Sequence, residues 1–445
     1  MNRKTYVLDV SVLVHDSDAL LSFGDNVVVI PISVVDQLDS FKRSIDGDGL
    51  NSRKALQMLD KIFTNGNDPR KGADLSNGGK VFIDDNKGDI ITVVRKWEER
   101  GKGEAILVTK SPRLRLNAKI NDISAEDYKN DKMISSIDEM YTGGKIIKLE
   151  SSVGQIFAEK IYRDGIFGTK ELEEFISSKE LFLNQCCTFL YDNLSNIKTV
   201  LALYKGDHFK LVAKSTKEGE QKKILPLNKE QSFAYALLKD SNVSVVTLVG
   251  DGGTGKTLLA LAAGYEQLGK GFKRIEVYRP NFELGQELGF LPGTVEKKFA
   301  PWMKPIFDNL ELIMNGDANG KKQGTDKPGK KDSSPIAMML GNGLISIEPI
   351  NYLQGRTIHD TFIIFDEMQN FTPSQTKIIE ARAGEGSKIV LTGDVKQRAN
   401  PYVDEISNGL VYTVERFKGQ ACFGHVLLKD ASVRSPIAKL VAELM

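Results

Sequence analysis

The stretch "VSVVTLVGDGGTGKTLLALAAGYEQL" (residues 243–268) decides how the rest of the chain is read. A β-branched apolar run stops at Gly250, a glycine-rich turn follows, and a run rich in Leu and Ala continues beyond it. The turn fits G-x-x-x-x-G-K-[ST] over Gly250, Asp251, Gly252, Gly253, Thr254, Gly255, Lys256 and Thr257, between a strand and a helix. Each residue type answers a need of phosphate binding. Glycines let backbone N–H groups close around an anion, and the helix N-terminus adds its dipole. Lys256 is long enough to reach β- and γ-phosphates, and Thr257 offers a hydroxyl to Mg²⁺. ATP and Mg²⁺ are the expected ligands.

Two further strand ends carry acids. "HDTFIIFDEMQN" (359–370) delivers Asp366 and Glu367, the first placed to hold Mg²⁺ through water and the second to polarise an attacking water. "SKIVLTGDVKQ" (387–397) ends in Gly393, Asp394 and Gln397. Together these motifs resemble superfamily 1 helicases, with Gln397 in the γ-phosphate sensor's place. Gln231 in "KEQSFAYALL" resembles their adenine-reading glutamine.

"RPNFELGQELGFLPGTVEKKFAPWMKPIFD" (279–308), "GRTIHDTFIIFDEMQN" (355–370) and "GDVKQ" (393–397) are similar to the ATPase domain of PhoH-like proteins over residues 221–445. The resemblance implies an α/β, RecA-like P-loop ATPase that assembles as a homohexamer. In such rings a neighbour's arginine can stabilise transition-state charge. Arg279, Arg356, Arg382 and Arg434 are the candidates, and Arg434 occupies the place of a late helicase arginine.

Residues 1–135 read as a second α/β domain. "TYVLDVSVLV" (5–14), "NVVVIPISVV" (26–35) and "AILVT" (105–109) alternate with the helical patterns of "SRKALQMLDKIF" (52–63) and "ITVVRKWEERG" (91–101), which argues for a parallel sheet. Residues 136–220, with "GGKIIKLE" (143–150) and "TVLALYKGDHFKLVAK" (199–214), read as a small β-rich connector. The N-terminal stretch "YVLDVSVLVHDSDALLSFGDNVVVIPISVVDQLDSFKR" (6–43), with "LNSRKALQMLDKI" (50–62) and "LRLNA" (114–118), resembles the PIN domain that precedes the ATPase in longer PhoH-like proteins.

PIN nucleases hold two Mg²⁺ or Mn²⁺ ions with about four carboxylates at strand ends. Carried over singly, the first acid matches Asp9. The second falls on Gln37, flanked by Asp36 and Asp39. The third matches Asp89, and the fourth falls on Ser111 beside Lys110. Glutamine and serine are poor partners for a hard dication, and a lysine repels one. A weak or vacant metal site is expected, with Lys110, Arg113, Arg115 and Lys119 forming a basic face for a phosphate backbone. On the ATPase side, Phe282, Phe290 and Trp302 lie among Arg279, Lys297, Lys298 and Lys304, a mixture able to stack bases.

Bulk properties narrow the class. The 445 residues are 41% hydrophobic and 27% charged, and 60 basic residues against 59 acidic leave a net charge of +1. Any polyanion partner must therefore meet a local patch. Three cysteines, two of them adjacent, make neither a disulfide framework nor a zinc site. No signal-peptide pattern and no membrane-length apolar run occur, so a cytoplasmic protein is expected. The Gly- and Lys-rich segment 315–334 reads as a loop. The expected activity is Mg²⁺-dependent ATP hydrolysis acting on or gated by single-stranded RNA (or DNA), with a PIN-like domain that binds rather than cleaves. A helicase coupled to an active metal-dependent ribonuclease and an ATP-gated scaffold are the alternatives.

Overall fold

β-Branched residues suit strands covered on both faces, and the apolar runs at each end of the chain become such strands. The computed structural model describes residues 3–43, 47–64, 67–101, 104–128, 133–172, 181–193, 196–212, 224–280, 295–315, 335–353, 355–400 and 403–429. It divides into two compact units. The first comprises Met1–Ser135 with Asn370–Ile378 and Arg398–Tyr412, and the second the remainder.

In the first unit, β1 (Thr5–Leu8), β2 (Val27–Pro31), β3 (Ala73–Asp74), β4 (Lys80–Asp84), β5 (Ala105–Val108) and β6 (Ala125–Glu126) form a sheet ordered β3-β4-β2-β1-β5-β6. Every pair is parallel except β3 with β4. Helices α1 (Val10–His15), α2 (Ile32–Phe41), α3 (Gly47–Thr64), α4 (Ile90–Gly101) and α5 (Pro112–Ile120) lie between the strands in the chain. Val7, Val29, Leu107, Leu38 and Val94 belong to its buried core. Leu8 pairs with Val108, so Asp9 and Thr109 leave the sheet side by side.

The second unit holds two sheets. β7 (Gly144–Lys148), α6 (Ser151–Asp164), β8 (Ile166–Gly168), β9 (Cys186–Asn193), β10 (Asn196–Tyr204) and β11 (His208–Leu211) make the connector, with strand order β7-β9-β10-β11-β8. Phe157, Phe189 and Phe209 pack at its centre. Next come α7 (Lys229–Lys239), β12 (Val245–Gly250), α8 (Lys256–Gln267), β13 (Arg274–Arg279), α9 (Val295–Asn315), α10 (Pro335–Gly341), β14 (Ile345–Pro349), β15 (Thr361–Phe365), α11 (Pro373–Glu380), β16 (Lys388–Gly393), α12 (Gly409–Phe417) and β17 (Phe423–Leu428), of which residues 373–378 of α11 and 409–412 of α12 count with the first unit. Their sheet is all parallel, ordered β14-β13-β15-β16-β12-β17. Connector residues Cys186, Leu203 and Val212 share one core with Leu237, Val246 and Leu259. The neighbours β13, β15, β16 and β12 therefore present their carboxyl ends together, where ligands of parallel sheets bind. No helix among the described residues is long and apolar enough to cross a membrane.

Candidate active site

The glycine loop leaves β12 at Gly250, where a Cβ would sit 2.3 Å from the Leu428 carbonyl oxygen, so only glycine fits. Gly255, at φ 87°, adopts the left-handed conformation that starts α8. Lys256 Nζ donates to the Gly250 and Asp251 carbonyls at 2.6 and 2.9 Å. Burial pushes its amine below the ordinary lysine value, while the carboxylates of Asp394, Asp366, Glu367 and Asp251 pull the other way. Thr254 is buried, and its hydroxyl donates to the Asp251 carbonyl.

Thr257 Oγ1 donates to Asp366 Oδ1 at 3.0 Å, and Thr392 Oγ1 donates to the same oxygen. A hydroxyl and a carboxylate in contact at a helix N-terminus are the hard oxygen donors that Mg²⁺ takes, so these residues fit the ion. Arg279, at the end of β13, lies 3.1 Å from Asp366 and 3.4 Å from Glu367. Its guanidinium already neutralises its own chain's acids, which sets it apart from an arginine offered to a neighbour. Arg356 likewise pairs with Glu276 and Glu348, both at 3.5 Å.

Glu367 has φ 61°, a strained conformation for a side chain of its size that persists only where the surroundings impose it. The surroundings here are Arg279 and Gln369, whose Nε2 donates to Glu367 at 2.6 Å and to the Gln397 carbonyl at 2.7 Å. Gln369 Oε1 also accepts the Asp394 N–H at 3.2 Å. Burial, then the adjacent Asp366 carboxylate, raises the Glu367 pKa above the usual range, against the opposing Gln369, Arg279 and Lys256. Asp394 accepts the Gly252 N–H at 2.9 Å and so holds the loop, and a Cβ on Gly252 would lie 3.1 Å from Gln397 Nε2. Sequence reading missed Arg279 as a partner of the acids, and Gln369 and Thr392 altogether. The pattern D-E-x-Q was the available signal for Gln369.

Gln231 is buried with both ends of its amide in use. Its Nε2 donates to the Thr254 carbonyl at 3.0 Å, and its Oε1 accepts the Leu227 N–H at 2.8 Å. In this conformation it braces the glycine loop, and reading adenine would require it to exchange partners.

The acid set of the first unit is put together differently. Asp9 caps α1, accepting from Ser11 N–H and hydroxyl at 3.3 and 2.5 Å and from Thr109 Oγ1 at 2.8 Å. Ser111 caps α5 by accepting the Leu114 N–H, with Pro112 at the first helical position. Gln37 and Asp89 are exposed. Lys110 is buried, its Nζ donating to Ser407 Oγ at 2.8 Å and lying 3.6 Å from Asp404. The Arg115 guanidinium donates to the Thr109 carbonyl at 2.7 Å and meets Asp127 at 3.5 Å. The expected basic face thus shrinks to Arg113 and Lys119, because the other two cations are spent inside the unit. Asp84 is a buried acid at the end of β4. Burial raises its pKa, but bonds from Lys96, the Asn86 backbone and Trp97 outweigh that and hold it below the usual range. Among the described residues no three His, Cys, Asp or Glu side chains gather where they could hold a metal ion. Among the described residues, Asp9, Gln37, Asp89 and Ser111 as placed here do not fit a two-metal centre.

The family model described as "PhoH-like protein" matches residues 223–445. Protein PhoH2 of Bacillus subtilis (strain 168) is 36% identical, covering 99% of this chain and 100% of that protein. The chain belongs to the PhoH-like family. A PIN-domain model matches residues 6–129 ahead of the PhoH part. Protein PhoH2 of Thermobispora bispora is 31% identical over 99% of this chain and 96% of its own length. A shorter PhoH-like protein of Bacillus subtilis is 33% identical over 51% of the chain. PhoH proteins are P-loop ATPases, which places this chain among ATP hydrolases in general. Of the remaining PhoH-like expectations, Arg434, Phe282, Phe290, the Trp302 side chain and nearly all of segment 315–334 lie outside the described residues.

Proposed function

We propose that this PhoH-like chain is a Mg²⁺-dependent ATPase acting on or gated by single-stranded RNA, working as a homohexamer, with a PIN unit that does not cleave. The observation that carries the proposal is the cluster of Lys256, Thr257, Asp366 and Glu367 at the carboxyl ends of β12 and β15, on either side of β16. Lys256 exchanges the loop carbonyls for β- and γ-phosphate oxygens. Thr257 and Asp366 would hold Mg²⁺, which when bound supplies neutralisation of phosphate charge. Glu367, its basicity raised by burial, orients the attacking water and takes up its proton. Gln397, beside Gly252, registers the γ-phosphate, and Gly253 with its neighbours wraps the phosphate chain. Arg434 is the arginine proposed to act on a neighbour's nucleotide. The commitment of one Asp9 oxygen, Oδ2, to three donors, with Asp89 exposed and Ser111 spent as a cap, supports a PIN unit without a working metal centre.

The test is ATP turnover by the full chain with Mg²⁺, with and without single-stranded RNA. RNA should accelerate turnover, and Lys256→Ala should lower it at least about a hundredfold. Turnover retained by Lys256→Ala would sink the site assignment. Turnover indifferent to RNA would instead favour an ATP-gated scaffold.

A further inference from the structure

The second unit carries a groove unrelated to the nucleotide loop. It has a volume of about 870 Å³ and is lined by residues of α6, β9, β10, β11, the segment 225–228 and α7. That size lies within the range of ligand clefts, ~300–1,000 Å³. Its chemistry is lopsided. Lys198, Lys210, Lys229 and Lys239 all line it, against one acid, Asp240. Asp240 is already neutralised: Lys205 lies 2.8 Å from it and Lys210 3.8 Å. Lys239 is held at 3.0 Å by Glu266, which is not part of the lining. Lys198 and Lys229 are exposed.

Aromatic surface accompanies the charge. Tyr191 on β9 stands directly opposite Lys198 on β10, and Tyr162 on α6 lines the same groove at 55% exposure. A large exposed aromatic ring such as Tyr162 normally costs solvation and stands where a planar ligand could cover it, while Tyr191 is half-buried against the connector core and lines the groove beside it. Lysines that track a backbone, interleaved with rings that accept bases face-on, are the recognition chemistry of single strands. An acidic peptide would use the lysines but would leave the tyrosines without a role.

We infer that this groove between the connector sheet and α7 binds a single-stranded polynucleotide, through Lys198 and Lys229 on its phosphates and Tyr162 and Tyr191 on its bases. The inference rests on the proposed RNA-gated ATPase and names where the polymer sits. It also gives the connector a task. Leu203 and Val212 share a core with the helix that precedes the glycine loop, so polymer held here bears on the same packed body as the ATP site.

The experiment titrates a fluorescent RNA of about 16 nucleotides, and its DNA counterpart, into the full chain at about 50 and 200 mM salt. It is done for the unaltered protein, for Lys198→Glu/Lys229→Glu, and for Tyr162→Ala, with RNA-free ATPase measured on each. The double variant should bind the RNA at least about tenfold more weakly and lower the salt slope by roughly 1.4. Tyr162→Ala should weaken binding roughly fivefold without changing the slope. RNA-free ATPase should stay unchanged, which also reports that the variants fold. Equal losses on DNA identify a general single-strand site, and losses on RNA alone an RNA site; both support the groove. Unaltered affinity in the variants, with the parent protein still binding and stimulated by RNA, overturns the groove and leaves the ATPase reading standing. A parent protein that binds neither strand overturns both.

Discussion

Both units place an aspartate at the carboxyl end of a parallel strand, yet the two carboxylates have different work. Asp366 accepts from Thr257 and Thr392 through one oxygen and faces the Arg279 guanidinium with the other, so its partners are two hydroxyls and a cation of the same nucleotide-loop cluster. Asp9 spends one oxygen on three donors, two of them from Ser11, in the service of a helix start. A strand end raises the chance that an acid meets a ligand, but the neighbours decide whether its lone pairs remain on offer. Around Asp366 a second acid stands adjacent and is destabilised as an anion. Around Asp9 the matching positions hold a capping serine and a buried lysine.

The sharpest way to break this contrast is to neutralise one acid in each unit. Glu367→Gln should retain ATP binding and lose about 10²–10⁴-fold in turnover, because the amide cannot accept the water's proton. Asp9→Asn should leave both ATP turnover and any RNA cleavage where they were. Both are read from ATP hydrolysis and from labelled RNA resolved by length, with Mg²⁺ and with Mn²⁺. Cleavage that disappears in Asp9→Asn would mean that the first unit works as a nuclease after all.

A smaller effect tests why Glu367 is a base. Gln369 donates to its carboxylate and so favours the charged form, opposing the burial that raises its pKa. Gln369→Leu removes that donor, and the pKa must then rise further. A base with a higher pKa stays protonated to higher pH, so the acid limb of the pH–turnover profile should move towards alkaline pH. At neutral pH the loss should be roughly tenfold. A uniform fall at every pH would show instead that Gln369 only supports the fold of the loop.

Legibility in the sequence followed distance along the chain. The glycine loop was readable because its chemistry is packed into eight consecutive residues, and the strands of both parallel sheets because β-branched runs have few other uses. Arg279 reads from sequence as one of several arginines available to a neighbour, since nothing local connects it to Asp366; only the adjacency of β13 and β15 does. Lys110 was read as part of an exposed basic face because its partner Ser407 is 297 residues away. Asp9 and Ser111 carry a local signal of a different kind: each precedes a short helix, Asp9 with a serine two residues on and Ser111 with a proline next. Those are N-cap patterns, and they compete directly with metal ligation for the same oxygen.

That competition can be separated from simple charge repulsion through Lys110. If its ammonium alone kept cations away, Lys110→Met would let a cation reach Asp9, because methionine fills a similar volume without the charge. If the hydrogen bonds of Asp9 are what matter, the variant should still bind no Mn²⁺ in the absence of nucleotide. Asp404 would lose a cation 3.6 Å away but keep the Ile406 and Ser407 N–H groups at 3.0 and 2.7 Å, so it would not be stranded. The expected stability loss is therefore modest, about 1.5–3 kcal/mol from the bond between the charged ammonium and Ser407, measurable as a lower denaturant midpoint with an unchanged slope. Calorimetric titration with Mn²⁺ decides the rest. Heat from a bound ion in Lys110→Met, absent again in Lys110→Met/Asp9→Asn, would show that one lysine was all that silenced the site. No heat in either protein leaves the capping bonds of Asp9 as the cause.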